Sequence, residues 1–138
     1  MPFHEKSAWI MSAALVLGGG FYFFAVASGS SAAGALISPN IPLIVVYTVC
    51  LVVIATVGHI VIAVLAPKDA NARVDEREQQ IFVRAGHYSS YILAIGVLLS
   101  LGLYVMGGRG DLLFYTVFAS LMIGQTAEYL LQILFYRT

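Results

Sequence analysis

The sequence is short of charge and almost free of cysteine. Only 10% of its 138 residues are Asp, Glu, Lys or Arg, where an ordinary soluble domain carries about 25%, so a fully water-facing globular surface is excluded. Seven basic and seven acidic side chains cancel to a formal net charge of zero, which removes the basic field that a nucleic-acid reader needs. The single cysteine, Cys50, excludes an intramolecular disulfide and any multi-cysteine metal site. His4 and Glu5 begin no zinc-protease motif, because Ala8 stands where the second histidine would be. No nucleophile and base pair, phosphate-binding loop or metal cluster is legible, so the sequence calls for no catalytic residue, no metal and no cofactor.

What the chain has in abundance is apolar length. Hydrophobic residues make up 60% of it and its mean hydropathy is +0.91. A helix needs about 20 predominantly apolar residues to cross a bilayer, and stretches at residues 7–27, 41–66, 87–106 and 112–135 each supply that length. The breaks carry turn chemistry: a Gly/Ser/Ala-rich linker at 28–40 closed by Pro39, Pro67 after the second stretch, and a glycine-rich turn at 107–111. The expectation is an all-α, polytopic membrane protein, an antiparallel four-transmembrane-helix bundle forming one integral membrane domain over 1–138, with a helical loop at 67–86.

Direction follows from the basic residues, which are retained on the cytoplasmic side. Lys6, Lys68, Arg73, Arg77, Arg84 and Arg137 share one side and Arg109 alone lies opposite, so both termini and the middle loop are expected in the cytoplasm. A competing reading takes Ala25, Val26 and Ala27 as a signal-peptide cleavage site, leaving three spans. The apolar run before it is longer than the 7 to 15 or so residues of a signal core, which favours an uncleaved first helix.

Aligning Ser7 with Ser89 also brings Trp9 onto Tyr91, Ile10 onto Ile92, Leu17 onto Leu99, Gly20 onto Gly102 and Tyr22 onto Tyr104. Tyr47-Thr48-Val49 meets Tyr115-Thr116-Val117 in the same way. Two readings stand: a parallel duplication of a two-helix unit, related by an axis along the membrane normal, or chance matching among few residue types.

Between Lys68 and Arg84 the chain turns polar, with Asp69 or Asn71 able to cap a helix that continues into the third span. Asp69 with Arg73, and Arg73 with Glu76, have the spacing of pairs on one helix face. The run Asp75-Glu76-Arg77-Glu78, followed by Ile81, Ala85 and Ser89, resembles the signature of an uncharacterised bacterial family of small four-helix membrane proteins. That resemblance implies the four-span plan and a bacterial inner membrane, and no activity. Asp75, Glu76, Arg77 and Glu78 are read either as a solvated helical face or as a partner-docking loop.

Polar residues inside spans are costly and are the natural functional candidates. Gln125, Glu128 and Gln132 follow an i, i+3, i+7 spacing, one stripe on the fourth span, and Thr56 and His59 lie on one face of the second. At about 1.5 Å of rise per residue, Glu128 lies about 13 Å from Arg137 and His59 the same distance from Lys68, so the two could meet if the second and fourth spans are neighbours. Neutralising a glutamic acid at pH 7 costs about 3.7 kcal/mol, which admits either an ion pair or a neutral acid hydrogen-bonded to His59 or a glutamine. The stripe is read as glue between helices, or as a protonatable site for coupled transport or ion passage. His59 and His87 sit at unequal depth, about 9 Å apart along the normal, which is awkward for two axial ligands of one haem. Gly18, Gly19 and Gly20, and Gly96 with Ser100, mark places where helices approach closely, within the chain or against a second copy.

The functional expectation is a small, non-enzymatic membrane protein that acts by assembly, with the lipid bilayer, a second copy or another membrane protein as partners and no nucleic acid. The alternative is a small proton-coupled transporter or channel using Glu128 and His59.

Overall fold

The computed structural model describes residues 2–138. Helices α1 (Phe3–Ala33), α2 (Ile41–Leu65), α3 (Pro67–Ala70), α4 (Glu76–Gly107) and α5 (Gly110–Arg137) account for nearly all of it, with no strand among the described residues. The four long helices are each long and apolar enough to cross a membrane. No cleavage-site loop interrupts α1. It runs past Ala27 through the Ser/Gly-rich stretch to Ala33, because consecutive helical hydrogen bonds outweigh the weak propensity of isolated Ser and Gly. Gly34, at φ 73°, stops it in the left-handed conformation that glycine adopts without a Cβ clash.

The other ends follow local rules. Asn40 caps α2, its side-chain oxygen accepting from the Leu43 amide at 2.9 Å, and Pro42 fills a first-turn position where no amide is required. The cap of α4 is Asp75, which accepts from the Glu78 amide at 2.7 Å. This corrects the expectation for Asp69 and Asn71: Pro67 starts the separate single turn α3, and Asn71 folds back onto the Pro67 carbonyl at 2.9 Å. Residues 71–75 are not helical, so Asp69, Arg73 and Glu76 do not share one helix face. The expected glycine-rich turn shrinks to Gly108, at φ 65°, and Arg109.

Packing is extensive between α1 and α2, α1 and α5, and α4 and α5, giving the order α2, α1, α5, α4. Contacts between α4 and α5 pair Glu78 with Tyr136, Leu93 with Gly124 and Gly96 with Ser120, rising numbers on one helix meeting falling numbers on the other. No comparable packing joins α2 to α4, so the four helices do not close into a ring. A two-fold repeat that places α1 on α5 would place α4 on α2, and the packing lacks that symmetry.

A cluster of buried hydrophobic residues lies where α1, α2 and the first half of α5 converge. Tyr22, fully buried, sits with its ring centroid 4.8 Å from Phe118 and 5.7 Å from Tyr47, and Val26, Tyr115 and Met122 complete the buried set. Tyr115 donates to the Ile37 carbonyl at 2.8 Å and Ser38 to Asp111 at 3.1 Å, which pins the 34–40 connection onto the start of α5.

Glycines set the helix spacing. A Cβ on Gly96 would lie 2.7 Å from Ser120 Cβ, whereas one on Gly19 would meet only the mobile Cε of Met122. Gly96→Ala should therefore cost about 1 to 3 kcal/mol by forcing α4 and α5 apart, and Gly19→Ala much less. Thermal melting of both variants in one detergent checks this; equal melting shifts would contradict it.

Candidate functional site

The structure separates the sequence-derived polar residues into two groups. On α2, His59 Nδ1 lies 2.6 Å from the Ala55 carbonyl, which can only accept, so Nδ1 carries the proton. His59 Nε2 then accepts from the Ser7 hydroxyl of α1. Thr56, expected beside it, is exposed and bonds nothing across helices. His59 is thus a link between α1 and α2, with Gly58 packed directly on Ile10 one residue away.

Glu128 belongs to the other group. It is half-buried on α5 with its carboxylate beside Gly86 of α4, and among the described residues no hydrogen bond or ion pair joins it to another side chain. Glu128 and His59 do not meet, because α2 packs on α1 and Glu128 faces α4. The stripe itself is unevenly covered: Gln132 is buried at 8% exposure, Glu128 is half-buried and Gln125 is exposed. His87 is also exposed, edge-on to Tyr91 at 4.9 Å on α4, and nothing brings it to His59.

At the opposite end of the sequence reading, the charged run before α4 is engaged within the chain. Asp75 is the helix cap. Glu78 accepts from the Tyr136 hydroxyl at 3.1 Å, and Arg77 reaches the Tyr136 carbonyl at 3.5 Å. Only Glu76 of the four is free of such a contact and exposed. The run therefore ties the start of α4 to the end of α5, while Asp75, Glu76 and Arg77 remain exposed.

Glu5, read in the sequence only for a zinc-protease motif that it does not complete, has a structural role for which there was no local signal. Glu5 is 6% exposed and accepts from Arg137 Nε at 3.1 Å, the single ion pair among the described residues. The Arg137 guanidinium lies over the Trp9 ring, 5.6 Å from its centroid. His4, one residue earlier, packs edge-on against Phe82 of α4 at 5.4 Å. One end of the molecule is thus closed by the first turn of α1, the last turn of α5 and the first turn of α4. A depth count places Glu5 and Arg137 at one boundary, which was the signal available; only the α1 to α5 packing makes them partners.

Two grooves flank α5. One, lined by Leu15, Gly19, Phe23, Met122, Thr126 and Leu130 among others, is apolar along the α1 seam. The other is lined by Leu113, Phe114, Val117, Phe118 and Leu121 among others. Neither holds a nucleophile beside a base, and no group of three or more His, Cys, Asp or Glu suited to a metal occurs among the described residues. Comparison of the chain with protein-family models, curated proteins and solved structures finds no match.

The Glu5–Arg137 pair gives an asymmetric prediction. Arg137 is 57% exposed, so screening limits the pair itself to about 1 kcal/mol or less. Arg137→Ala also strips the Trp9 ring of its cation and leaves a buried carboxylate without its partner, while Glu5→Gln keeps the shape and frees only an exposed guanidinium. Arg137→Ala should lower the melting temperature more than Glu5→Gln, and the double variant should recover part of the loss.

Proposed function

We propose that this chain is an antiparallel four-span protein of a bacterial inner membrane, with both termini and the α3 region in the cytoplasm. It carries out no reaction of its own and acts by assembling with another membrane chain. The observation that carries this reading is the polar stripe of α5. Gln125 is exposed and Glu128 only half-covered in the middle of an apolar helix, where lipid offers no hydrogen-bonding partner. Such side chains face protein or water, and the chain's own helices leave them open.

Several features support the topology. Six of the seven basic residues cluster at the end closed by Glu5 and Arg137 or in the α2 to α4 connection, with only Arg109 at the other end. The reversed pairing of residues along α4 and α5 suits neighbours crossing in opposite directions. The run from Asp75 to Ser89 supports the bacterial setting by its resemblance alone. A proton-coupled pathway through Glu128 and His59 finds less support, since the two are held by different helix pairs.

Two measurements test the reading. With Cys50→Ser as background, Arg109→Cys should react with an impermeant maleimide in intact cells, and Arg73→Cys and Thr138→Cys only after permeabilisation. The reverse pattern would overturn the orientation. Native mass spectrometry from nanodiscs should return particles holding more than one protein chain; particles of one chain in every lipid tried would overturn the assembly role.

A further inference from the structure

The basic residues are not partnered alike. Arg137 is tied to Glu5 and lies over Trp9. Arg73 borders a small polar cavity whose lining also holds Asp69 and Glu78, so carboxylates stand near it. Arg77 and Arg84 come together elsewhere, in a depression of about 330 Å³ between the start of α4 and the end of α5, lined by Arg77, Gln80, Ile81, Arg84, Phe135 and Thr138. No carboxylate side chain lines it, and among the described residues neither arginine is in an ion pair. Glu78 is taken up by the Tyr136 hydroxyl, and Glu76 lines an adjoining depression that shares Gln80 and Arg84. Arg77 reaches the Tyr136 carbonyl at 3.5 Å, which leaves most of its five donors free.

The helix carries this pair into a longer pattern. Positions 77, 84, 88, 92, 95 and 99 of α4 fall on one narrow face, since steps of three, four and seven residues return to the same side of a helix. Arg77 and Arg84 open the face. Tyr88 follows one turn on, half exposed, with its ring 6.2 Å from Phe135, and Ile92, Ile95 and Leu99 continue it as exposed hydrocarbon. Cation, amphipathic ring and aliphatic surface, in that order, match a phospholipid read from its phosphate through the interface to its tails. Arg84 lies three residues before the third apolar stretch, at the height where phosphate stands. The two arginines are separated by about 10.5 Å of helix, a gap that their long side chains close on one anion. An acidic protein segment would match the arginines but not the aliphatic continuation, whereas a lipid matches both.

We propose that Arg77, Gln80 and Arg84 form a binding site for the phosphate of an anionic phospholipid whose tails lie along α4 beside Tyr88 and Phe135. The guanidiniums donate to the phosphate oxygens and the Gln80 amide donates beside them. Selectivity follows from charge: a zwitterionic headgroup brings its own ammonium up to two guanidiniums, and phosphatidylglycerol brings none. This inference rests on the membrane reading above and is independent of assembly.

Native mass spectrometry of the full chain in a neutral detergent tests it, with phosphatidylglycerol and phosphatidylethanolamine of identical tails offered in equal amounts. The parent should retain phosphatidylglycerol preferentially. Arg77→Gln and Arg84→Gln should each weaken that retention about fivefold with helical circular dichroism unchanged, and the double variant should lose the preference. Arg73→Gln, the same loss of charge outside the cavity, should retain the lipid as the parent does. Equal losses for Arg73→Gln and Arg84→Gln would overturn the site in favour of a diffuse basic field. Inorganic phosphate binding the lipid-free chain as tightly as phosphatidylglycerol does, with the same dependence on Arg77 and Arg84, would overturn the lipid as the source of the anion. So would an acidic protein recovered with the parent and lost from the double variant, with no lipid preference. If Arg77→Gln unfolds through loss of its Tyr136 contact, Arg84→Gln alone decides. Failure of the site leaves the maleimide labelling pattern unchanged, and a labelling pattern that contradicts membrane crossing would overturn the membrane reading instead.

Discussion

The arrangement depends on the close approach of α4 and α5. Gly96 leaves room for Ser120 and Gly124 for Leu93, where a methyl group would fall within 2.7 Å and 3.2 Å of its neighbour. Between apolar helices in lipid the hydrophobic effect provides no attraction, because the tails are as apolar as leucine. What remains is the fit of surfaces, and small residues provide it by letting backbones come near. With α4 held against one side of α5 and α1 against the other, α5 is, beside α1, one of the two inner helices. Its remaining two sides are left to whatever surrounds the molecule.

Polar interactions are placed to reinforce this packing at its ends. At one end Glu5, Arg137, Trp9, Glu78 and Tyr136 join α1, α4 and α5. At the other, Tyr115 and Ser38 fasten the α1 to α2 connection onto α5. Ser7 apart, serines such as Ser100 and Ser120 spend their hydroxyls on carbonyls of their own turn, those of Gly96 and Thr116. The hydroxyl then needs no partner on a neighbouring helix. Glu128 and Gln125, by contrast, make no such local hydrogen bond; one is half-buried and the other exposed.

How much of this could be read from the sequence divides along a physical line. Helix existence is set by hydropathy and length, both local, and the four long helices fall where the apolar runs lie. Helix ends depend on a few residues: the Gly108 stop and the Asn40 cap obey sequence signals, whereas Asp69, Asn71 and Asp75 are all competent caps. The choice among them turns on Pro67 starting a separate turn. Neighbour choice is not local at all. Depth along each span is countable from its charged ends, so Glu128 and His59 share a level, but rotation and adjacency are fixed by surfaces that similar apolar residues leave nearly equivalent. For the same reason the burial of Glu5 was not legible, although its depth was.

The position of α2 shows how little contact such a helix needs. Among its residues only Tyr47 is buried, and in water a 25-residue helix so exposed would not stay attached. A helix that crosses a membrane would lose nothing by turning such Val, Ile and Leu side chains to lipid, its backbone being satisfied within the helix. Attachment then requires only register and a few specific contacts, which lie along one line of α1: Tyr47 seated on Gly18, Gly58 against Ile10, and His59 accepting from Ser7. Two of these are close approaches that glycine permits, and the third is a part-buried hydrogen bond. The helix packed least by its own chain is therefore also the most apolar one, while α5, packed on two sides, carries the exposed Gln125 and the half-buried Glu128.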